Sequence, residues 1–297
     1  MTHNTDMRIR RFIATLVIFL TIGASARPVR PGHFVATQPD GSTFTAVCIG
    51  DEFLKIIKTT QGHTIVKDSD GWWCYATYNA DGSRYSSGER VGSNVSSDIL
   101  SSSLDIPYEA LTANAAAKRA VAQNEDENIL KRTLKAQGAR LMAEGEAIVK
   151  HGLVILAQYQ DVKFRSGHKE DKFVALLTEK GYSDNGATGS AKDYFDSQFG
   201  GMFEFEFEVS PIVTLDNRRA YYGQNDRYGN DLRPAEMLAE ACQLAHDAGI
   251  SFAKYDDDGD GYVDNVFVLF AGEDEADNPT KDADCIWSHS WYVKSGA

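Results

Sequence analysis

Residues 255–272, with the sequence YDDDGDGYVDNVFVLFAG, join an acidic, glycine-containing loop to an apolar run. The loop carries five aspartates, of which four are candidate cation ligands, the last of them just ahead of the apolar run: Asp256, Asp258, Asp260 and Asp264. With Gly261, their spacing matches the start of the calcium-loop pattern D-x-[DN]-x-[DN]-G. Crowded carboxylates repel one another unless a cation neutralises them, and calcium accepts about 6–8 oxygen ligands. The four aspartates therefore predict a calcium-type site.

The continuation of the loop differs from a helix-loop-helix calcium site. The twelfth position, which is Glu in that site, is Phe267 here. Phe267 lies within the apolar run 266–270, a pattern that is typical of a buried strand. The sequence thus predicts a cation loop that leads into a sheet. Asp and Gly are also ordinary turn residues, so a solvated acidic turn is the alternative.

Length and charge limit the possible functions. The chain has 297 residues, of which 42% are hydrophobic, and this is enough for one or two packed domains. The formal net charge is −13, which argues against nucleic acid and anionic membrane surfaces as partners.

The first 26 residues have the pattern of a secretory signal peptide. Three arginines at positions 8–11 precede an apolar run at 12–22, and the tripeptide ASA at 24–26 provides a cleavage site. The apolar run is shorter than the roughly 20 residues that a spanning helix needs. We expect cleavage near Ala26, a secreted protein and no stable membrane anchor; an uncleaved anchor is the alternative.

Residues 27–107 have the features of a small β-rich unit. Asp-Gly pairs, which favour hairpin turns, separate strand-like segments. The pairs are Asp40-Gly41, Asp70-Gly71 and Asp81-Gly82, and the segments are 43–49, 64–66 and 72–78. Residues 50–54 break this pattern and could open a helical turn, and the Ser-rich residues 93–107 are predicted to form a loop.

The aromatic and cysteine residues leave alternatives open. Four aromatic side chains between 72 and 78 form either part of the core or a ligand platform: Trp72, Trp73, Tyr75 and Tyr78. An exported protein can oxidise its cysteines. The order along the chain favours the disulfide pairs Cys48–Cys74 and Cys242–Cys285, and four buried thiols are the equal alternative.

Residues 108–147 are rich in Ala, Glu, Lys, Arg and Gln and contain no Pro, so they predict a helical connector. Its apolar stripe is weak, and it carries the dibasic pairs Lys118-Arg119 and Lys131-Arg132. The stretch is either a connector that proteases cut or a solvated helix, since weakly packed segments are preferred cleavage sites.

The remaining residues, 148–297, alternate between strand and helix patterns, which indicates a layered α/β or α+β arrangement. An apolar run at 153–157 predicts a central strand. Tyr194 and Phe195 are expected to be buried on the helix predicted at 190–199. The further predicted elements are helices at 169–180 and 190–199, a half-buried strand at 203–213, a helix at 234–248 and the strand at 266–270.

In these segments the sequence resembles the immune inhibitor A-like family of secreted bacterial zinc metallopeptidases. In the first part the resemblance lies in QPDG (38–41), GDEF (50–53) and DGWWCYA (70–76). In the second part it lies in GSAKDYF (189–195), YYG (221–223), the acidic loop with 266–272, and IWSHSW (286–291).

The resemblance implies an α+β fold with a small β-rich pro-segment, a helical connector and a truncated zincin-like mixed α/β catalytic domain. The corresponding boundaries are a signal peptide at 1–26, the pro-segment at 27–107, the connector at 108–147 and the front of the metallopeptidase domain at 148–297. The resemblance also implies zinc as cofactor, polypeptide substrates, and the pro-segment as an intramolecular partner.

The sequence departs from the family at its catalytic motif, HExxH. In that motif two histidines one helical turn apart bind zinc, and the glutamate is the general base. None of the 7 histidines here is followed by Glu. We therefore expect no catalytic residue in this chain, which would be inactive as a truncated precursor. The alternative is a catalytically degenerate, calcium-stabilised secreted binding protein.

Two further metal or cleft candidates follow from the resemblance. His289, between Trp287 and Trp291, either faces the substrate cleft or has a structural role. Cys48 or Cys74 could bind zinc as a thiolate while the pro-segment is attached.

Overall fold

The computed structural model describes residues 29, 32–51, 53–121, 148–199, 203–257, 259–278, 284–288 and 290. The chain divides into two compact units. Unit 1 comprises Met1–Lys131, Arg227–Asn230 and Ser288–Ala297, and unit 2 comprises Arg132–Asp226 and Asp231–Trp287. The predicted signal peptide and residues 122–147 of the connector lie outside the described residues. Among the residues described, no helix is long and apolar enough to cross a membrane.

Unit 1 contains two three-stranded antiparallel sheets, with the strand orders β1-β2-β3 and β4-β5-β6. The strands are β1 (His33–Thr37), β2 (Thr43–Asp51), β3 (Leu54–Thr59), β4 (Ile65–Lys67), β5 (Trp73–Tyr78) and β6 (Arg84–Arg90). The strands predicted at 43–49, 64–66 and 72–78 are confirmed as β2, β4 and β5.

The three Asp-Gly pairs form hairpin turns, as predicted. Their glycines have φ angles of 85°, 83° and 83° at Gly41, Gly71 and Gly82, a left-handed conformation that favours Gly. The prediction of a helical turn at 50–54 is wrong, because these residues connect β2 to β3. Gly50 has φ 119°, and a Cβ atom there would lie 1.7 Å from the Leu54 carbonyl oxygen, so only glycine fits this turn.

Two helices accompany the sheets of unit 1: α1 (Ser97–Leu104) and α2 (108–121). The loop predicted at 93–107 is therefore wrong over most of its length. Ser96 caps α1 by accepting a hydrogen bond from the Ile99 amide at 3.5 Å, and Ser103 is buried. A Ser-rich sequence thus forms a helix because one serine is its cap and the helix packs against β5.

The aromatic residues of β5 belong mainly to the core. Trp73 is buried, with 1% of its surface exposed. Trp72 is half-buried, and the Arg90 guanidinium lies 3.5 Å from the centroid of its ring. On α2, Leu111 and Ala115 are buried, so this part of the predicted connector packs against its unit.

Unit 2 is built around a parallel three-stranded sheet with the order β8-β7-β9. Its strands are β7 (Ile148–Gln158), β8 (Phe203–Thr214) and β9 (Val266–Phe270). Its helices are α3 (Glu170–Thr178), α4 (Ala191–Phe199), α5 (Arg219–Tyr222) and α6 (Pro234–Asp247), with single 3₁₀ turns at Asp184–Gly186 and Phe252–Tyr255. The predicted order strand, helix, helix, strand, helix, strand holds apart from the additional short helix α5, and the α+β class is confirmed.

Strand β7 is the centre of this sheet because it is apolar on both faces. Leu153, Ile155 and Ala157 have 0% exposure and pack with Met237 and other residues of α6. The opposite side of the sheet carries a cluster of aromatic rings from α4, β8 and β9: Phe195, Phe199, Phe203, Phe205, Phe207 and Phe267.

One expectation on α4 is wrong: Tyr194 is 60% exposed. Adjacent helix positions are about 100° apart, so only one of the two neighbouring aromatics can face the sheet. Phe195 does so, with its ring centroid 5.2 Å from that of Phe205.

Candidate functional site

The acidic loop lies at the amino end of β9, beside the first residues of β7. Leu153 is paired with Val266 in the sheet register, and its amide donates to the Asn265 carbonyl at 3.2 Å. The loop is closed by the Asp264 amide, which donates to the Tyr255 carbonyl at 2.8 Å. The loop therefore determines where β9 begins.

The predicted cation ligands accept hydrogen bonds from the backbone of their own loop. The two carboxylate oxygens of Asp256 accept from the amides of Asp260 and Gly261, at 3.0 and 2.9 Å. Asp260 Oδ1 accepts from the Tyr262 amide at 2.9 Å. Asp256 and Asp260 thus belong to one turn, whereas Asp258 lies outside the described residues.

Asp264 is oriented towards the sheet instead. Its Oδ2 accepts from the Asp257 amide at 2.8 Å and from Lys150 Nζ at 3.4 Å. Sequence reasoning missed the partners at this point, which are Lys150, His151 and Asp257. A usable signal was the pair Lys150-His151, which places two polar residues just before the apolar centre of β7.

Asp257 contacts two residues of β7. Its Oδ2 lies 3.3 Å from Lys150 Nζ and accepts from the His151 amide at 3.2 Å. Its Oδ1 lies 2.6 Å from His151 Nδ1. The other ring nitrogen of His151 is 3.5 Å from Glu206 on β8, so the histidine connects the loop to the neighbouring strand.

A second polar group lies beside the loop. The Tyr255 hydroxyl donates to Glu208 Oε2 at 2.7 Å, and Lys254 Nζ lies 3.1 Å from the same oxygen. The hydrogen bond from Tyr255 holds the pKa of Glu208 below its ordinary value, and Lys254 adds to this effect. Burial, together with the same hydrogen bond, raises the pKa of Tyr255.

The donor atoms of the loop determine which metal ion these residues could bind. The carboxylates of the loop are oxygen donors of the kind that a hard cation prefers. Among the described residues, however, no three His, Cys, Asp or Glu side chains are grouped so that they could hold a metal ion. The described residues therefore do not fit zinc, and Asp256, Asp260 and Asp264 do not form a metal-binding group by themselves. The four-aspartate site remains a prediction.

The four cysteines lie within the described residues and form no disulfide bond there, so the structure contains neither the Cys48–Cys74 nor the Cys242–Cys285 pair. The Cys74 sulfur lies 3.5 Å from Asp68 Oδ2. Burial raises the pKa of the Cys74 thiol and raises that of Cys242 to about 11.

At the carboxyl end of the sheet, two segments that carried the family resemblance meet. A Cβ atom on Gly223 would lie 2.4 Å from the Cys285 amide nitrogen, so this close backbone approach needs glycine. The Trp287 amide donates to Asp231 Oδ2 at 2.9 Å, and Trp287 is 3% exposed. His289, the cleft candidate, lies outside the described residues.

The acidic loop and the 284–287 segment lie at opposite ends of the sheet. The five residues of β9 span roughly 16 Å at about 3.3 Å each. Ligands of open α/β sheets bind at the carboxyl ends of the strands. The loop therefore lies at the end of the sheet opposite to the one where ligands of open α/β sheets usually bind.

Fold and site together define an α+β domain built on a parallel sheet, with an acidic loop that anchors one edge strand. Comparison with known sequences then gives the family. Residues 151–297 match the family described as "Immune inhibitor A peptidase M6, catalytic domain". The matched residues, 151–297, belong to this metallopeptidase family.

A curated relative agrees with this assignment. Immune inhibitor A of Bacillus thuringiensis subsp. alesti is 25% identical over 173 residues, which cover 48% of this chain. The aligned residues span 25% of the length of that relative.

Proposed function

We propose that the chain is part of an exported, zinc-dependent endopeptidase that hydrolyses peptide bonds in polypeptide substrates. The observation that carries this proposal is the match of residues 151–297 to the family's catalytic domain. The parallel sheet of unit 2 supports it, because the matched residues build one continuous core around β7. Residues 27–107 are proposed to be the pro-segment and residues 1–26 the signal peptide that directs secretion.

In this proposal the acidic loop is a structural cation site and not a catalytic one. Calcium bound by Asp256, Asp258, Asp260 and Asp264 would neutralise their charge and hold the start of β9. The support is the spacing of the four aspartates and the position of the loop at the amino end of β9. The residues proposed to frame a substrate cleft lie at the other end of the strand, around Trp287.

The proposed peptidase activity requires zinc ligands that the described residues do not provide. The 297-residue chain is therefore expected not to cleave casein when zinc is added. The measurement is the release of soluble peptides, with an active zinc endopeptidase as the positive control. Zinc-dependent cleavage by the chain itself, blocked by 1,10-phenanthroline, would show that its catalytic residues have been assigned wrongly.

A second candidate function is a catalytically degenerate, calcium-stabilised binding protein. The observation that favours it is that none of the 7 histidines is followed by Glu. The gene sequence distinguishes the two candidates. An in-frame HExxH within about the next hundred codons, an ordinary domain length, supports the peptidase. A stop codon directly after codon 297 supports the binding protein.

A further inference from the structure

We infer that Lys150 is a built-in cation of the acidic loop: its ammonium group positions the start of β9 through Asp257 and Asp264 without a bound metal. The inference concerns the aspartates of unit 2 and does not depend on the proposed peptidase activity.

The geometry places one positive charge between two carboxylates. Lys150 Nζ lies 3.3 Å from Asp257 Oδ2 and 3.4 Å from Asp264 Oδ2. The side chains of these three residues are 8%, 7% and 12% exposed, in the order Lys150, Asp257 and Asp264. A lysine this deeply buried is rare unless it is paired, and here it has two acidic partners.

The burial of the bridge decides how much it contributes. Charges that are buried together interact more strongly than exposed ones, because water and salt screen them less. Removal of one partner leaves an uncompensated buried charge, which is strongly destabilising. Removal of Lys150 would take the ammonium group away from both carboxylates, leaving Asp257 with His151 and Asp264 with the Asp257 amide.

The two carboxylates that Lys150 contacts also accept hydrogen bonds from backbone amides. The Asp257 amide donates to Asp264 Oδ2 at 2.8 Å, and the His151 amide donates to Asp257 Oδ2 at 3.2 Å. Lys150 therefore holds two carboxylates, each of which holds a backbone amide. The result connects the amino end of β7 to both ends of the segment 257–264, directly before β9.

Unit 2 offers a matched control for the charge of Lys150. Lys172 lies 3.5 Å from Asp184 Oδ2, with side-chain exposures of 56% and 57%. Exposed pairs of this kind contribute little because they are solvated and screened. Lys150→Met and Lys172→Met both remove one ammonium group and keep most of the aliphatic stem.

The experiment compares thermal unfolding and amide hydrogen exchange of the full 297-residue chain in EDTA and in millimolar calcium chloride. In both buffers Lys150→Met is expected to lower the unfolding midpoint by more than about 5 °C, the size expected for a broken buried pair. Lys172→Met is expected to shift it by less than about 2 °C. Exchange of the Asp257 amide should become at least about tenfold faster in Lys150→Met only.

Two results would overturn the inference. One is an equal midpoint shift for Lys150→Met and Lys172→Met in both buffers. The other is full recovery of Lys150→Met by calcium, which would show that metal alone neutralises the loop.

A milder substitution covers the case in which Lys150→Met does not fold. Asp264→Asn keeps the shape of the side chain and leaves Lys150 with Asp257. It should accelerate Asp257 amide exchange in EDTA, and adding Lys150→Arg, which keeps the positive charge, should not accelerate it further. Unchanged exchange in Asp264→Asn would overturn the inference as well.

Discussion

At the scale of single residues, Gly152 shows how one missing side chain permits the aromatic cluster of unit 2. A Cβ atom at this position would lie 2.3 Å from the Phe205 ring and 3.1 Å from the Phe267 ring. Gly152→Ala is therefore expected to destabilise the protein by about 1–3 kcal/mol, the usual cost of overpacking. Urea unfolding measures the change.

The chain provides both a control and a rescue for this substitution. A Cβ atom on Gly167 has no neighbour within 4 Å, so Gly167→Ala should be close to neutral. Phe205→Leu should cost less in the Gly152→Ala background than in the wild type, because the smaller side chain removes the clash. Equal costs of the two glycine substitutions would contradict this account.

A second prediction at this scale concerns pH. The Tyr255 hydrogen bond holds the pKa of Glu208 below its ordinary value. The bond therefore contributes stability that is present above the unfolded pKa of about 4.3 and is lost as pH falls through the lower folded pKa. Tyr255→Phe should cost about 1 kcal/mol at pH 7 and clearly less near pH 3.

The measurement is urea unfolding of wild type and variant at both pH values. Glu208 is 42% exposed in its pair with Lys254, so solvent screening keeps the effect at this modest size. Tyr262→Phe, at an exposed tyrosine, serves as the control. A difference that stays constant from pH 7 to pH 3 would show that the lost contact is not an ionic hydrogen bond.

At the scale of elements, hydrophobic periodicity was sufficient to predict those strands whose structure is decided by burial alone. The apolar run at 153–157 predicts β7, and the alternation at 203–213 predicts β8, because one or both strand faces must be buried. The misses have a common cause. Helix α1 depends on its Ser96 cap, and the turn at 50–54 depends on the close approach of the Gly50 and Leu54 backbones. Hydrophobic periodicity indicates neither a cap nor a close backbone contact.

Helix α2 yields a prediction about proteolysis. Arg119 forms an ion pair with Asp51, and its guanidinium lies 5.3 Å from the centroid of the Phe53 ring. Trypsin must draw this side chain into its own pocket before it can cut after Arg119. Asp51→Asn should therefore speed that cleavage by roughly two- to fivefold, as expected for a lost exposed pair.

Asp51 Oδ1 accepts from the Phe53 and Leu54 amides at 2.9 and 3.1 Å. Asparagine suits this test because its side-chain oxygen can accept the same two hydrogen bonds, so that only the ion pair with Arg119 is removed. Mass spectrometry of timed digests identifies the cut. Asp98→Asn, at an exposed acid of α1, is the control. Equal cleavage rates for the two variants would show that the pair with Asp51 does not protect this bond.

At the scale of the whole molecule, the candidate site was only partly accessible from sequence. The four aspartates lie close together in sequence, so their spacing could be recognised. Lys150 is separated from Asp264 by 114 positions, and Gly223 meets Cys285 across 62 positions of the numbering. Such contacts depend on the tertiary fold, which one sequence does not specify through local patterns.

The cation proposal makes a prediction for the whole chain. Chelation by EDTA should lower the thermal midpoint, because the aspartates of the loop repel one another once the dication is removed. Asp258→Ala should lower the midpoint in calcium to nearly the same value and should respond little to EDTA. Differential scanning calorimetry in calcium and in EDTA measures both effects.

The control for this test is Asp171→Ala, at an exposed acid of α3. It removes the same charge but should keep the full response to calcium, so it separates a bound ion from a general effect of net charge. The Lys150 bridge limits how far the midpoint can fall, because it continues to hold β9 after chelation. If wild type, Asp258→Ala and Asp171→Ala all have midpoints that EDTA leaves unchanged, the acidic loop is a solvated turn and the lysine bridge is its main anchor.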